Sequence, residues 1–236
     1  MKNKRKMEEA KKAINAGIVS AAALFVFATP SFAAIDPLEV LASPGGKGAT
    51  SHGHITITPG DETTEPTQPL IPSEPGGETG NTGALTIDNV SPLLFDTHQL
   101  SSELVVYTTS TQNPNVQVTD VRGSGAGWTL QVSTTPFVDQ TDSSKILKGA
   151  VVTLPIGTAK TTEGNVSNAP ELRELKLGTD SEQTEPDVLM TAQANSGMGT
   201  WVDEFDPNEV TISVPSGNLA GDYVSTLTWS LVDAPQ

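Results

Sequence analysis

The chain has 236 residues, with 13 basic and 28 acidic side chains, a net charge of −15 at pH 7, and no cysteine. Disulfides are therefore excluded. The acidic balance also argues against nucleic acid or an anionic lipid surface as a partner, because the summed field repels polyanions before short-range contacts can form.

Residues 1–33 read as a secretory signal peptide. Lys2, Lys4, Arg5, Lys6, Lys11 and Lys12 lead into the apolar run IVSAAALFVFA, and Ser31 and Ala33 supply the small residues of a cleavage site. The run is shorter than the roughly 20 residues that a membrane span takes, so no span is expected in the mature chain. Cleavage removes six basic and only two acidic residues, which leaves 7 against 26. Residues 34–83 follow as an acidic Pro/Gly/Thr-rich linker, exemplified by TPGDETTEPTQPLIPSEPGGETGNTG. With few apolar residues and no period, it lacks the buried surface that would offset its ordering entropy and is expected to be disordered. His52 and His54 in SHGHITIT lack a third ligand nearby, and no metal site is expected there.

From residue 84 to 236 short β-rich runs recur between turn signals: ALTIDNV, SELVVYTT, NVQVTDV, GWTLQVS, ILKGAVVTLP, DVLMTAQ, EVTISV and DYVSTLTWSLV. This pattern predicts one all-β domain, an antiparallel sandwich or a barrel-like fold. In GWTLQVS, strand alternation puts Trp128, Leu130 and Val132 on one face and Thr129, Gln131 and Ser133 on the other. The preceding RGSGAG resembles a phosphate loop only in composition, since it leads into a strand and not into a helix N-terminus. A hairpin or bulge joining NVQVTDV to WTLQVS, with glycines at positive φ, is the expectation. LPIGT at Leu154–Thr158 looks like a sortase signal, but its Thr and Gly are inverted and no hydrophobic stretch follows, so covalent anchoring is not expected. NAPELRELKLGT reads equally as a short helix, a strand or a loop.

Further along, GMGTWVDEFDPNEV places Trp201 beside Asp203, Glu204, Asp206 and Glu209. The segment reads as a solvated loop before EVTISV with Trp201 tucked onto the domain; the alternatives are Trp201 as an exposed contact for a sugar face or a partner, with the acids as hydrogen-bond acceptors, and a Ca²⁺ held by those acids, whose spacing matches no complete EF-hand. In the last run Tyr223, Leu227, Trp229 and Leu231 share a face, and that strand is expected to pair inside a sheet, since a free apolar edge invites aggregation. No catalytic residue emerges: only His98 lies in the β region, and no nucleophile elbow appears. An acid pair within Asp203–Glu209 is the sole enzymatic alternative. No cofactor is indicated.

The two W-x-L motifs about a hundred residues apart, the stretch VTDVRGSGAGWTLQV and the closing TLTWSLVDAP resemble the WxL-domain cell-surface proteins of low-GC Gram-positive bacteria. The resemblance covers about residue 84 onwards. It implies non-covalent attachment to the cell wall with peptidoglycan as ligand, and it maps the wall-binding motif onto Trp128, Leu130, Trp229 and Leu231. It also implies partners: a membrane-anchored surface protein that interacts with the WxL domain, a small sortase-anchored protein, and host matrix. The alternative function is a structural or adhesive subunit whose direct ligand is such a partner. Residues 84–236 hold 6 basic and 19 acidic side chains, which sets them against the anionic polymers of such a wall. Short-range contacts to uncharged glycan, bridging divalent cations, or a partner protein would have to offset that repulsion.

Overall fold

A computed structural model describes residues 35–178 and 185–234. The signal expected at 1–33 lies outside them, and among the described residues no helix is long and apolar enough to cross a membrane. The chain divides into two compact units, the first ending at Thr56 and the second running from Ile57 to Gln236. Within the first, β1 (Leu41–Ala42) pairs antiparallel with β2 (Ala49–Thr50). The turn is closed by Ser43 N donating to Gly48 O at 2.9 Å.

The second unit contains, in chain order, β3 (Leu85–Val90), β4 (Val105–Thr108), β5 (Asn115–Asp120), β6 (Trp128–Thr134), β7 (Val138–Asp139), β8 (Val151–Leu154) and β9 (Thr158–Thr161). It continues with β10 (Glu171–Leu172), β11 (Leu175–Gly178), β12 (Asp187–Ala192), β13 (Gly199–Glu204), β14 (Thr211–Val214), β15 (Tyr223–Val224) and β16 (Leu227–Val232). Every pairing of these strands is antiparallel. Three four-stranded sheets result, ordered β3-β5-β13-β9, β11-β8-β14-β4 and β10-β12-β6-β16, with β15-β7 as a small accessory ribbon. The fold is the all-β antiparallel sandwich that the alternating runs predict. NAPELRELKLGT, ambiguous in sequence, contributes the strands β10 and β11.

A single apolar cluster draws side chains from all three sheets: Val116 and Val118 from β5, Trp128, Leu130 and Val132 from β6, and Val152 and Leu154 from β8. Leu177 on β11, Leu189 and Met190 on β12, and Ile212 on β14 complete its centre. Burial of each such aliphatic side chain stabilises the fold by about 1.5–3 kcal/mol, which lets a chain without disulfides hold together.

The structure departs from the sequence-based expectation at three places. β5 and β6 lie in different sheets, so RGSGAG is a crossing between sheets and not a hairpin. Its glycines do take positive φ, and at Gly127 (φ +79°) a Cβ would lie 2.4 Å from the Ala192 carbonyl oxygen. Among the described residues β16 is an edge strand, paired with β6 alone.

The third departure concerns the boundary at residue 84, because the compact unit starts at Ile57. Residues 57–83 run over one face of β5. Gly60 N donates to Val121 O, Leu70 N to Gln117 Oε1 at 2.7 Å, Gln117 Nε2 to Gln68 O at 3.1 Å, and Asn115 Nδ2 to Ile71 O at 2.9 Å. A segment with few apolar residues is thus ordered by side-chain amides that reach its backbone, a stabilisation that the hydrophobic pattern does not reveal.

Candidate functional site

β6 is the hinge of the candidate site because both W-x-L motifs meet on it. Leu130 lies directly opposite Leu231, and Val132 opposite Trp229, so the two motifs are neighbours in one sheet. Trp128 and Leu130 are fully buried. The Trp128 indole N–H donates to Gly197 O at 3.0 Å. At Gly197 (φ +68°) a Cβ would fall 2.3 Å from Ala192 Cβ and 2.9 Å from Trp128 Nε1, so only glycine lets the indole seat there. Trp229 and Leu231 are half-buried and pack against the same cluster.

One guanidinium ties the ends of the two motif strands together. Arg122 donates from Nε to Asp120 Oδ1 at 2.9 Å and from Nη2 to Asp120 Oδ2 at 2.7 Å and to Gly127 O at 2.9 Å. Its Nη1 pairs with Asp233, just past β16. Asp120 is almost completely buried, so this bidentate pair holds a carboxylate that water does not reach. The DVRGSGAGWTL stretch and the terminal TWSLVDAP are therefore parts of one clasp.

Trp201 is not an exposed contact. It lies on β13, in the interior of its sheet between β5 and β9, with 5% of its surface accessible and its indole N–H donating to Met198 O at 3.0 Å. The flanking glycine and acids suggest a loop, whereas Gly199–Glu204 pairs with β5 along its whole length and Trp201–Glu204 pairs with β9 on the other side. The acids after it do not converge into a pair. Asp203 and Glu204 are consecutive in a strand and face opposite ways. Asp203 is fully buried, and neither of its oxygens has a hydrogen-bond partner. Burial pushes its carboxyl up from 3.8 to about 7. Glu204 instead pairs with Lys160 at 3.1 Å, and Asp206 caps its own turn by accepting from Asn208 N at 2.9 Å. Among the described residues no group of three or more His, Asp or Glu is placed to hold a metal ion.

An open groove of about 1070 Å³ lies where the segment entering β4 faces the segment from Val214 to Leu227. Its floor is apolar and aromatic, with Phe95, Tyr107, Phe137 and Leu227 rooted in the core cluster. His98 stacks on Tyr107, ring centroids 3.7 Å apart and 15° from parallel, and its Nε2 is hydrogen-bonded to Phe95 O. Asp96 sits at φ +56° and accepts from Ser110 Oγ at 2.7 Å. On the other wall Gln140 Nε2 donates to Asp222 Oδ2 at 3.0 Å. Asp139, held down to about 2 by hydrogen bonds led by that from the Thr141 hydroxyl, accepts Asp222 N at 3.1 Å and fixes that wall. The rim carries the exposed side chains Leu94, Leu100, Leu219 and Val224. No motif marks these residues; His98 alone stood out in the sequence, as the one histidine of the β region.

A family model described as WxL domain, surface cell wall-binding, matches residues 45–235. No curated protein and no solved structure matches the chain.

Proposed function

The chain belongs to the WxL domain family of surface, cell wall-binding proteins, and on that basis we propose that it attaches non-covalently to peptidoglycan through the groove between the β4 approach and Val214–Leu227. The W-x-L residues Trp128, Leu130, Trp229 and Leu231 build the frame that holds the groove open and do not themselves stick to the wall. A secreted chain released from its signal peptide would reach the wall with this unit folded and its N-terminal segment as tether.

The observation that carries this reading is the division of labour among the aromatic residues. Trp128 and Trp201 are buried and satisfied by backbone carbonyls, whereas the groove is lined by the His98–Tyr107 stack and by exposed polar side chains such as Asp96 and Asp222. Sites for small ligands combine such an apolar floor with a few convergent polar groups. The experiment is co-sedimentation of the full secreted chain with purified peptidoglycan, comparing wild type with His98→Ala. Retention of wild type and a loss of about fivefold or more in the variant, at unchanged melting temperature, is the expected result. Equal retention of the two would move the contact elsewhere.

A second reading is favoured by the rim. Leu100 and Leu219 both line the groove and are 64% and 62% exposed, and large apolar side chains exposed at one site mark protein interfaces. In that reading the chain is a structural or adhesive subunit docked to a membrane-anchored surface protein, a sortase-anchored small protein or host matrix, and purified peptidoglycan alone would not retain it.

A further inference from the structure

Edge strands are ordinarily blunted by charge, brevity or cover, because their free backbone groups invite pairing with another chain. Most sheet edges here follow that rule. Backbone of the Pro-rich segment covers β3, with Val90 N donating to Gly77 O and Thr79 N to Asp88 O, both at 2.9 Å. β9 and β11 carry Lys160 and Lys176, β10 has only two residues, and β4 has four. β16 is different. It has six residues, and the run from Tyr223 to Val232 contains neither a charged residue nor a proline.

The free side of β16 is identified by its hydrogen bonding. Thr135 N donates to Thr226 O at 3.0 Å, one step before Leu227 meets Thr134. Backbone groups alternate in direction along an antiparallel strand, so Thr228, Ser230 and Val232 bond towards β6. The N–H and C=O of Leu227, Trp229 and Leu231 therefore point away from it, and no other strand or loop among the described residues takes them up. The side chains of the same three residues pack on the core cluster yet stay half-buried, since no further strand flanks them.

The sequence of the strand selects what pairs with it. Leu227-Thr228-Trp229-Ser230-Leu231 reads alike in both directions: apolar, hydroxyl, indole, hydroxyl, apolar. Set antiparallel against a second copy about a twofold axis through Trp229, it places Leu227 opposite Leu231, Thr228 opposite Ser230, and Trp229 opposite its counterpart. The outward N–H and C=O groups of the three apolar residues then exchange hydrogen bonds with the same groups of the other copy. Leucine and indole pairs fall on the core side and hydroxyl pairs on the other, all of them favourable cross-strand combinations. Each mature chain has 7 basic against 26 acidic residues and repels its copy at long range. The contact strand itself is uncharged, and Asp233 just beyond it is paired with Arg122.

We propose that the chain forms a twofold dimer through β16, which joins the β10-β12-β6-β16 sheets of two copies into one continuous sheet. Such an isologous contact closes at two copies. It does not depend on which wall ligand the groove takes.

The test uses the full secreted chain in sedimentation velocity over a range of micromolar concentrations, with melting temperatures to confirm folding. Wild type should pass from monomer to dimer and no further, and more readily as salt screens the acidic surfaces. Thr228→Lys combined with Ser230→Lys sets like charges opposite each other and should weaken the dimer by about tenfold or more. Thr228→Lys combined with Ser230→Glu sets opposite charges at the same positions and should restore it. Because the chain has no cysteine, Thr228→Cys combined with Ser230→Cys should give a disulfide-linked dimer on mild oxidation, and Thr228→Cys alone much less. A wild type that stays monomeric at every concentration and salt would overturn the proposal. So would growth past the dimer into open chains, the outcome if another segment such as the exposed Ile55–Ile57 run adds to β16, and so would a dimer indifferent to the paired lysines. Equal crosslinking of the single and double cysteine variants would overturn the register through Trp229.

Discussion

Asp203→Asn is the sharpest test of the packing described above. Asp203 projects from β13 on the face it shares with Val116 and Ala159, its partners on β5 and β9. A Cβ on Gly157 would lie 2.0 Å from its Oδ1, so backbone closes over the carboxyl where a side chain would not fit. With no hydrogen bond to either oxygen, the charged form has nothing to offset its desolvation, and the group gives up its proton near 7 instead of 3.8. Between those values the folded state keeps a proton that the unfolded state has released. Stability therefore falls as pH rises from about 4 to about 7 and levels off above, at about 1.4 kcal/mol per pH unit and so by at most about 4 kcal/mol in all. Asparagine does not titrate, so the variant should gain on wild type by up to that amount across the window and differ little from it in its pH trend elsewhere. Urea unfolding of both proteins at intervals from pH 4 to pH 8 reads the difference, in which the other carboxylates cancel. A gap between variant and wild type that stays constant over the window would refute the buried, unpartnered carboxyl.

Other outcomes follow from the clasp and from the ordered segment before β3. Arg122→Ala leaves Asp120 buried without its partner and frees Asp233, and should destabilise the fold by about 3 kcal/mol in chemical unfolding. Gly197→Ala forces a methyl group against Ala192 and the Trp128 indole at a left-handed backbone position, and a drop in melting temperature of several degrees is expected. Gln117→Leu removes the amide that holds Gln68 and Leu70, so limited proteolysis should cut the 57–83 segment several times faster while the sheets remain intact by circular dichroism.

Strand periodicity carried the inward direction of Trp128 and Leu130, because a seven-residue strand buried on both faces still places its ring and leucine on one side. It also gave the all-β class. At β5 the polar residues Asn115, Gln117 and Thr119 alternate with valines yet are buried, and the amides of Asn115 and Gln117 bond the backbone of the Pro-rich segment. Hydrophobic pattern distinguishes apolar from polar positions, and it does not distinguish polar side chains facing water from those facing a backbone that needs partners. Trp201 was misplaced for a related reason: glycine at 199 and acids at 203 and 204 have low strand propensity, and pairing with β5 and β9 overrides it. The groove was illegible because its walls come from segments near 95, 107, 140 and 222 that only tertiary structure brings together. The neighbouring of the two W-x-L motifs on β6 and β16 likewise depends on long-range pairing; the spacing of about a hundred residues says nothing about it.

The central claim is that the motif tryptophans hold up the domain and the groove does the binding. The most direct measurement is peptidoglycan retention and melting temperature determined side by side for Trp128→Phe and Trp229→Phe. The account predicts that Trp128→Phe, which loses the hydrogen bond to Gly197 and part of its packing, melts lower by an amount equivalent to about 1–3 kcal/mol. Below the melting transition both variants should still be retained by the wall as well as wild type. Loss of retention in either variant with an unchanged melting temperature would show that the rings themselves are the adhesive and would contradict the account.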